Sequence, residues 1–280
     1  FGGAATVGEN IINQLKDKFD FTVYSISSHT DLKSGNYKGI CYQKVFKSLP
    51  FKRLNSLYYY IISALHAVLC TKYDMVHLHH RDTAFILILL KIKYKVMLTA
   101  HGSFFVRDKW LKYKLFFELN ERYFVKKADI VTCVSLQEQR DYKNKIGLDV
   151  TYIPNGINLH PYIKKEYYPE HEQEYMFFGA GRIIKTKGLE ILLKSLRKIR
   201  YPIRLVVAGD LEQTPVYKKE ILDLSKDLNV EFIGLKKNKD DLLKIICEAK
   251  LFIFPSSYEA MSIMLMEGVS TQCPCIASDI

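Results

Sequence analysis

The sequence lacks a hydrophobic run long enough to cross a membrane. Its longest apolar run, Ala84 to Leu90, is far shorter than the roughly 20 residues that a transmembrane helix needs. It also lacks a signal peptide and an initiator methionine, and it begins at Phe1-Gly2-Gly3, as a loop would. It ends at Ile280, where a strand is barely finished. We therefore expect a chain that is truncated at both ends.

Regularly spaced cysteines are also missing. The pattern excludes the disulfide framework of a small secreted domain, and no His or Cys lies near Cys273-Pro274-Cys275 at metal-ligand spacing. We expect reduced, mostly buried thiols in a cytosolic protein without a metal site. The six cysteines are Cys41, Cys70, Cys133, Cys247, Cys273 and Cys275.

Acidic residues are outnumbered, 30 against 41 Lys and Arg, which gives a net charge of +11 and points to an anionic partner. Nucleic acid, an anionic membrane surface and a nucleotide-diphosphate substrate each satisfy this charge. The stretch Phe105–Lys127 combines cations with aromatics at helical spacing. It predicts either a basic amphipathic helix on a membrane surface or a core-packing helix with a solvated basic face.

Strand and helix patterns alternate along the chain, which predicts parallel sheets covered by helices. A hydrophobic content of 48% is enough for sizeable cores. The polar stretch 161–174 contains no helical or strand period and is the predicted linker. It separates a predicted first domain, 1–160, from a second, 175–280.

A glycine-rich segment, Gly179 to Gly188, follows the first strand of the second domain. It is not a dinucleotide fingerprint because its third glycine is misplaced, and it lacks the Gly-Lys-Ser/Thr of a P-loop. Arg182 and Lys187 nevertheless lie on a loop that opens a helix, and such cations suit a diphosphate. The alternative is a pair of solvated loop charges.

Two glutamates follow a later strand. The run Leu251–Phe254 predicts a buried strand that Pro255 ends, and a helical pattern runs from Glu259 to Val269. Glu259 would then lie at the carboxyl edge of a sheet, where open α/β sheets bind ligands. Glu267 would lie just over two turns later on the same face. The alternative is an ordinary amphipathic helix with two solvated glutamates.

Four histidines are candidates for binding a substrate or a metal ion. His101 follows a predicted strand, Lys95–Ala100, where it could donate a hydrogen bond to a ligand, although a lone histidine is more often structural. His77 and His79 share one face of another strand while His80 points away, and no carboxylate cluster joins them. We expect no metal there.

The chain resembles the retaining glycosyltransferases of family 4, also called glycosyl transferases group 1. The resemblance implies a GT-B fold, an α/β architecture with two Rossmann-like domains whose parallel sheets face each other across a cleft, with the donor diphosphate between them. One departure is that Ala260-Met261-Ser262 replaces the Gly-Phe-Gly of many members. The resemblance to the family rests on five motifs, which occur in the family's order along the chain. They are Gly2-Gly3, His101-Gly102, Pro154-Asn155-Gly156, Gly-Arg-x(4)-Lys-Gly at Gly181–Gly188, and Glu-x7-Glu at Glu259–Glu267.

The family's roles carry over to matching positions. Arg182 and Lys187 would neutralise the departing diphosphate, Glu259 would meet the donor sugar, and Glu267 the ribose. His101 would face the sugar as a further catalytic candidate. The remaining donor-binding candidates are Gly2, Gly3, Met261, Ser262 and Ile263.

The sequence thus predicts a metal-independent, cofactor-free glycosyltransferase that moves a hexosyl-type sugar from a nucleotide-diphosphate sugar to a sugar, glycan or lipid-linked acceptor. Cell-surface polysaccharide, lipopolysaccharide or glycolipid synthesis is the expected context. We expect a cytoplasmic location, with peripheral binding at the inner face of the plasma membrane, and no nucleic-acid partner. The alternatives are a GT-B-type phosphorylase or sugar-nucleotide epimerase, and a basic nucleic-acid-binding protein.

Overall fold

The computed structural model describes residues 3–37, 39–51, 54–102, 118–159, 174–199, 203–236 and 238–280. The chain divides into two compact units, Gly3–Gly156 and Ile157–Ile280. The division falls at the Pro154-Asn155-Gly156 turn, slightly before the predicted end of the first domain at residue 160. Apart from Glu174, the predicted linker 161–174 lies outside the described residues. No helix within the described ranges is long and apolar enough to cross a membrane.

The first unit is an α/β structure. Its helices in the described ranges are α1 (Gly3–Leu15), α2 (Asn55–Cys70), α3 (Leu87–Leu90) and α4 (Leu136–Ile146). A 3-10 segment, Arg81–Ile86, precedes α3, and a π-helical turn, Asn120–Phe124, continues as the 3-10 turn Val125–Lys127. The strands are β1 (Thr22–Ile26), β2 (Gly35–Tyr37), β3 (Cys41–Phe46), β4 (Met75–Leu78), β5 (Lys95–Ala100), β6 (Ile130–Cys133) and β7 (Thr151–Tyr152).

The strands of the first unit form two sheets. Strands β4-β5-β6-β7 are all parallel, and β5 is buried from Val96 to Ala100 except for the half-buried Met97, as expected of a strand covered on both faces. In the sheet β1-β3-β2, β1 is parallel to β3 but β2 is antiparallel to it. Only three residues join β2 to β3, and so short a connection can only join antiparallel neighbours. The prediction of purely parallel strands was wrong at β2.

Local chemistry explains where helices begin and end. The sequence begins at Phe1-Gly2-Gly3 as a loop would, but helix α1 already starts at Gly3, because Ala4 and Ala5 are strong helix formers. Ser135 is the N-cap of α4, because its side chain accepts a hydrogen bond from the backbone N–H of Glu138. Helix α4 ends at Gly147, which adopts the left-handed conformation.

The second unit contains one parallel five-stranded sheet. Its described helices are α5 (Leu189–Leu196), α6 (Pro215–Ser225), α7 (Lys239–Glu248) and α8 (Ile263–Ser270). The strands run in the order β10-β9-β8-β11-β12, which is third, second, first, fourth, fifth along the unit. This Rossmann-type order reverses between β8 and β11, and ligands of such sheets bind outside the carboxyl ends of the strands at that point. The strands are β8 (Tyr175–Arg182), β9 (Arg204–Asp210), β10 (Val230–Gly234), β11 (Leu251–Phe254) and β12 (Cys275–Ala277).

Candidate active site

The reversal point between β8 and β11 gathers residues predicted to bind a diphosphate sugar. Arg182 is the last residue of β8, and Lys187 ends a 3-10 turn that leads into α5. Glu259 lies in the loop after β11. The Lys187 ammonium contacts Oε1 of the Glu259 carboxylate, although the two residues are 72 positions apart. The fold thus pairs a predicted phosphate-binding cation with a predicted sugar-binding carboxylate.

The Lys187–Glu259 ion pair is sheltered. The two side chains are 23% and 18% exposed, so solvent and salt screen the pair less than a surface pair. Ser256 Oγ donates a hydrogen bond of 2.8 Å to the same carboxylate oxygen, and Lys187 Nζ lies 6.0 Å from the centre of the Phe254 ring. The first contact orients the Glu259 carboxylate, and the second helps to place the Lys187 ammonium. Sequence reasoning missed Ser256, although its place directly after a strand and proline was a signal.

The loops that carry these side chains are bonded to each other. The backbone N–H of Ser257 donates to the carbonyl of Thr186 at 2.9 Å. Gly188 has a φ of +73°, and a Cβ there would lie 2.1 Å from the carbonyl oxygen of Pro255. A side chain at this position is excluded both by backbone conformation and by space. The glycine therefore lets the Lys187 turn approach the end of β11.

The surroundings of Arg182 differ from the prediction. Arg182 was expected on a glycine-rich loop, but β8 continues to Arg182, which lies opposite Asp210 of β9. Gly209 of β9 allows this extension because it packs closely against Ala180 of β8: a Cβ at Gly209 would lie 2.2 Å from the carbonyl oxygen of Ala180. The Arg182 side chain is exposed, and it forms no ion pair with any residue that the structure describes.

Helix α8 begins later than predicted. It starts at Ile263, because Ser262 is extended and its Oγ accepts a hydrogen bond from the backbone N–H of Leu265 at 3.3 Å. Glu259 is therefore in the preceding loop, and the prediction that Glu259 and Glu267 share a helix face was wrong. The serine directly before an apolar helix was the local signal. The positive end of the helix dipole therefore lies at Ile263 and not at Glu259.

Glu267 is the most buried of the predicted site residues in the second unit. Its exposed fraction is 6%, and Nζ of Lys239, the first residue of α7, lies 2.7 Å from its Oε1. The next residue, Gly268, packs so closely that a Cβ would lie 2.2 Å from the Phe252 ring. Sequence reasoning missed Lys239, since no local pattern links it to Glu267. Of the neighbouring candidates, Ile263 is buried and Met261 half-buried.

The predicted site residue of the first unit, His101, follows β5 and is part of a chain of polar side chains. Its Nε2 lies 3.4 Å from Nδ1 of His79, and the two rings are nearly parallel, 18° apart. The rings of His79 and His77 have centres only 4.0 Å apart, which confirms that they share one face. His77 Nε2 then bonds Thr99 Oγ1 at 2.7 Å, and Thr99 bonds Thr132 at 2.8 Å.

These three imidazoles are held neutral. Burial, and then the neighbouring rings, lower the pKa of His77 to about 3. Burial lowers the pKa of His79 to about 4, and burial with the charges of His79 and His80 lowers that of His101 to about 4. A neutral imidazole has one donor and one acceptor nitrogen, so His101 suits a hydroxyl better than an anion. His80 instead accepts a hydrogen bond from the backbone N–H of Asp82.

A buried charged cluster lies behind His101. Arg81 is 3% exposed, and its guanidinium lies 3.4 Å from Glu121 and 3.6 Å from Glu138. Oε1 of Glu138 also accepts from the backbone N–H of Gly102 at 3.2 Å. Burial raises the pKa of the Glu138 carboxyl to about 7, although Arg81 acts in the opposite direction. The cluster ties the turn after His101 to helix α4.

The remaining predictions concern the amino terminus and metals. Gly2 lies outside the described residues, and Gly3 is helical, with no described atom within 4 Å of where a Cβ would be. A close approach of Gly3 to another group is therefore not part of the described structure. Within the described ranges, no three His, Cys, Asp or Glu side chains are arranged to share a metal ion.

Known family models match both halves of the chain. Residues 1–160 match Glycosyltransferase Family 4, and residues 163–280 match Glycosyl transferases group 1. The chain belongs to glycosyltransferase family 4. Over its whole length this family 4 chain is 25% identical to an uncharacterised glycosyltransferase of Methanocaldococcus jannaschii, of which it covers 76%.

Two further proteins are similar to this family 4 chain. It is 25% identical, over 75% of its length, to the UDP-Gal:alpha-D-GlcNAc-diphosphoundecaprenol alpha-1,3-galactosyltransferase of Escherichia coli, of which it covers 58%. The structure of Anabaena HepE in complex with UDP-glucose matches with a TM-score of 0.74 at 16% identity, over 100% of this chain and 78% of that one. The predicted GT-B fold is confirmed.

Proposed function

We propose that this family 4 glycosyltransferase transfers a hexosyl-type sugar from a nucleotide-diphosphate sugar to an acceptor hydroxyl, with retention of anomeric configuration. The observation that carries the proposal is the Lys187–Glu259 ion pair at the strand-order reversal of a Rossmann-type sheet. A cation and a carboxylate held together there suit a ligand that combines phosphate with sugar hydroxyls. Anabaena HepE, which has the same fold, binds UDP-glucose.

Each candidate residue has a role in this proposal. Arg182 and Lys187 stabilise the negative charge that develops on the departing diphosphate. Glu259 orients the sugar by accepting bonds from its hydroxyls, and Glu267 does the same for the ribose. The remaining donor contacts come from Gly2, Gly3, Met261, Ser262 and Ile263.

The chemistry is proposed to need neither a metal nor a covalent intermediate. Fixed cations at the leaving group supply the charge stabilisation that a metal ion gives in other enzymes. Oε1 of Glu259 already contacts Lys187 and accepts from Ser256, so this carboxylate is better suited to orient a sugar than to attack it. Neutral His101 contributes a hydrogen bond to a sugar or acceptor hydroxyl.

We further propose that the first unit binds the acceptor at an anionic membrane surface. Gly3–Gly156 contains 23 Lys and Arg against 13 Asp and Glu, so it carries +10 of the chain's +11. Helix α2 has no charged residue, and one of its faces exposes four large apolar side chains. A cationic unit with an exposed apolar helix face fits the inner face of a plasma membrane. The exposed side chains are Leu57, Ile61, Leu65 and Leu69.

This location agrees with two other observations. The Escherichia coli relative is named for an acceptor linked to diphosphoundecaprenol, a lipid. All six cysteines lie in described ranges and are free thiols, as in a reducing cytoplasm. We therefore propose a cytoplasmic, peripheral enzyme of cell-surface polysaccharide, lipopolysaccharide or glycolipid synthesis. Co-sedimentation with anionic but not with zwitterionic vesicles, weakened by Leu65→Glu, tests the membrane part.

The donor is tested by hydrolysis of UDP-, GDP- and ADP-sugars, with and without EDTA. We expect EDTA-resistant release of one nucleotide, and an NMR assignment of the transferred sugar shows whether its anomeric configuration is retained. Arg182→Ala and Lys187→Ala should each lower turnover at least 100-fold, on the scale of losing one charge-stabilising group. Lys185→Ala, which removes an exposed cation from the same turn, is the matched control. Full activity in both site variants contradicts the assignment.

Other outcomes of the same experiment identify the alternatives. Sugar phosphate or an epimerised nucleotide sugar as product indicates a phosphorylase or an epimerase. Salt-dependent binding of mixed DNA or RNA, without binding of any nucleotide sugar, indicates a basic nucleic-acid-binding protein.

A further inference from the structure

The buried carboxylate of Glu267 depends on a cation from another helix. Glu267 lies in the middle of α8, which packs against β11 through Gly268 and Phe252. An ionised carboxylate that is 6% exposed is strongly destabilised unless an opposite charge compensates it. In the described part of the chain, the cation that pairs with it is Lys239, at 2.7 Å.

Lys239 is well placed for this contact. It is the first residue of α7, directly after Asn238, whose side chain accepts from the backbone N–H of Asp240 and fixes the start of the helix. Its side chain is 32% exposed, so the stem is largely packed while the ammonium reaches the Glu267 carboxylate. The contact is thus set by the register of α7 and not by a flexible surface side chain.

We propose that Lys239 is a positioning residue that orients the Glu267 carboxylate for the ribose of the donor nucleotide. The inference rests on the proposed function, in which Glu267 accepts bonds from ribose hydroxyls. Nζ of Lys239 lies within ion-pair distance of Oε1, yet this buried oxygen accepts no hydrogen bond from a described residue. A carboxylate that faces a cation but still lacks a hydrogen-bond donor can accept from a ribose hydroxyl.

The competing explanation is a purely structural ion pair between α7 and α8. A structural pair and a positioning pair both lower stability when broken, but only the positioning pair changes how the protein distinguishes a ribose from a deoxyribose. Discrimination between these sugars is therefore the decisive measurement.

Calorimetry on the full chain measures the Kd of UDP, GDP and ADP, and then of the 2′-deoxy and 3′-deoxy analogues of the tightest binder. We expect wild type to prefer the ribose form of at least one hydroxyl about 10-fold, the scale of one hydrogen bond to a charged group. Lys239→Met should weaken binding of the ribose form and leave the deoxy form unchanged, so that the preference falls to about 1. Lys239→Arg should retain most of it.

The controls separate the outcomes. Lys244→Met removes an exposed cation from the same helix and should keep the wild-type preference. In a Glu267→Gln background, Lys239→Met should have no further effect on ribose preference. An unchanged preference in Lys239→Met overturns the proposal, even if its Tm falls. Failure of wild type to bind any of the three nucleotides instead overturns the proposed function itself.

Discussion

The three neutral imidazoles of the first unit predict a specific acid sensitivity, and His77→Gln is the perturbation that tests it. His77 has a folded-state pKa of about 3 against an ordinary value of 6.5. Because the folded value is depressed, the unfolded chain binds the proton more readily. The stabilisation is therefore complete above pH 6.5 and is lost as the pH falls toward 3.

The magnitude follows from linkage. For a group with these two pKa values, lowering the pH from 7 to 5 removes about 2 kcal/mol of unfolding free energy. His79 and His101, each with a pKa of about 4, contribute nearly as much apiece. Glu138 opposes them, because its pKa is raised to about 7 and its protonation relieves a penalty as the pH falls. The unfolding free energy of wild type therefore contains terms that fall and terms that rise as the pH is lowered. For this reason the prediction concerns the difference in unfolding free energy between wild type and His77→Gln.

Urea unfolding at pH 7 and pH 5 measures this difference. Far-UV circular dichroism follows the unfolding, and the difference between the two proteins belongs to the unit Gly3–Gly156, which contains position 77. Glutamine at position 77 can still bond Thr99, so we expect a modest loss at pH 7. At pH 5 the variant should gain at least about 2 kcal/mol relative to wild type, since the repulsion on His79 and His101 is also removed.

The control is His29→Gln, at an exposed position in the same unit. It should keep the pH dependence of wild type. If the profiles of wild type and His77→Gln run parallel between pH 7 and pH 5, the three imidazoles do not titrate as their burial requires, and the account of a neutral His101 is wrong.

Three further predictions concern the rest of the fold and the site. Gly188→Ala should destabilise the second unit by at least about 1–2 kcal/mol because its backbone is left-handed and a Cβ meets a carbonyl, whereas Gly181→Ala, with open space, should be tolerated in thermal unfolding. Arg81→Met leaves buried carboxylates uncompensated and should cost about 3–5 kcal/mol in urea unfolding, against less than about 1 kcal/mol for Lys143→Met in an exposed pair. Dialysis against EDTA should leave the rate of sugar transfer unchanged, and recovery only on addition of a divalent cation would refute metal independence.

Strong local patterns predicted the elements on which the site is built. Strands Lys95–Ala100 and Leu251–Phe254 have the predicted bounds, because each is a largely apolar run with a clear break after it. The start of α8 was misplaced because the apolar pattern continues backwards past the Ser262 cap. The length of β8 was underestimated because glycines usually mark loops, whereas here they permit close strand packing.

The partners of the site residues were the least predictable part. The sequence placed Lys187 on a loop that opens a helix and Glu259 at the carboxyl edge of a sheet. Their contact depends on β8 and β11 being neighbours in the sheet, which no local sequence pattern indicates. Lys239 and Arg81 had no local signal at all. Their importance comes from the burial of the carboxylates that they meet, and burial is a property of the assembled unit.

The bonded loops at the end of β11 have a thermodynamic consequence for any ligand that binds there. The Ser257–Thr186 bond and the tight approach of Gly188 to Pro255 order both loops before a ligand arrives. Little conformational entropy then remains to be lost when the Lys187 and Glu259 side chains engage a ligand. A substitution that loosens the contact between these two loops, with Lys187 and Glu259 unchanged, would weaken ligand binding through entropy alone. Calorimetry would then record a less favourable binding entropy with little change in binding enthalpy.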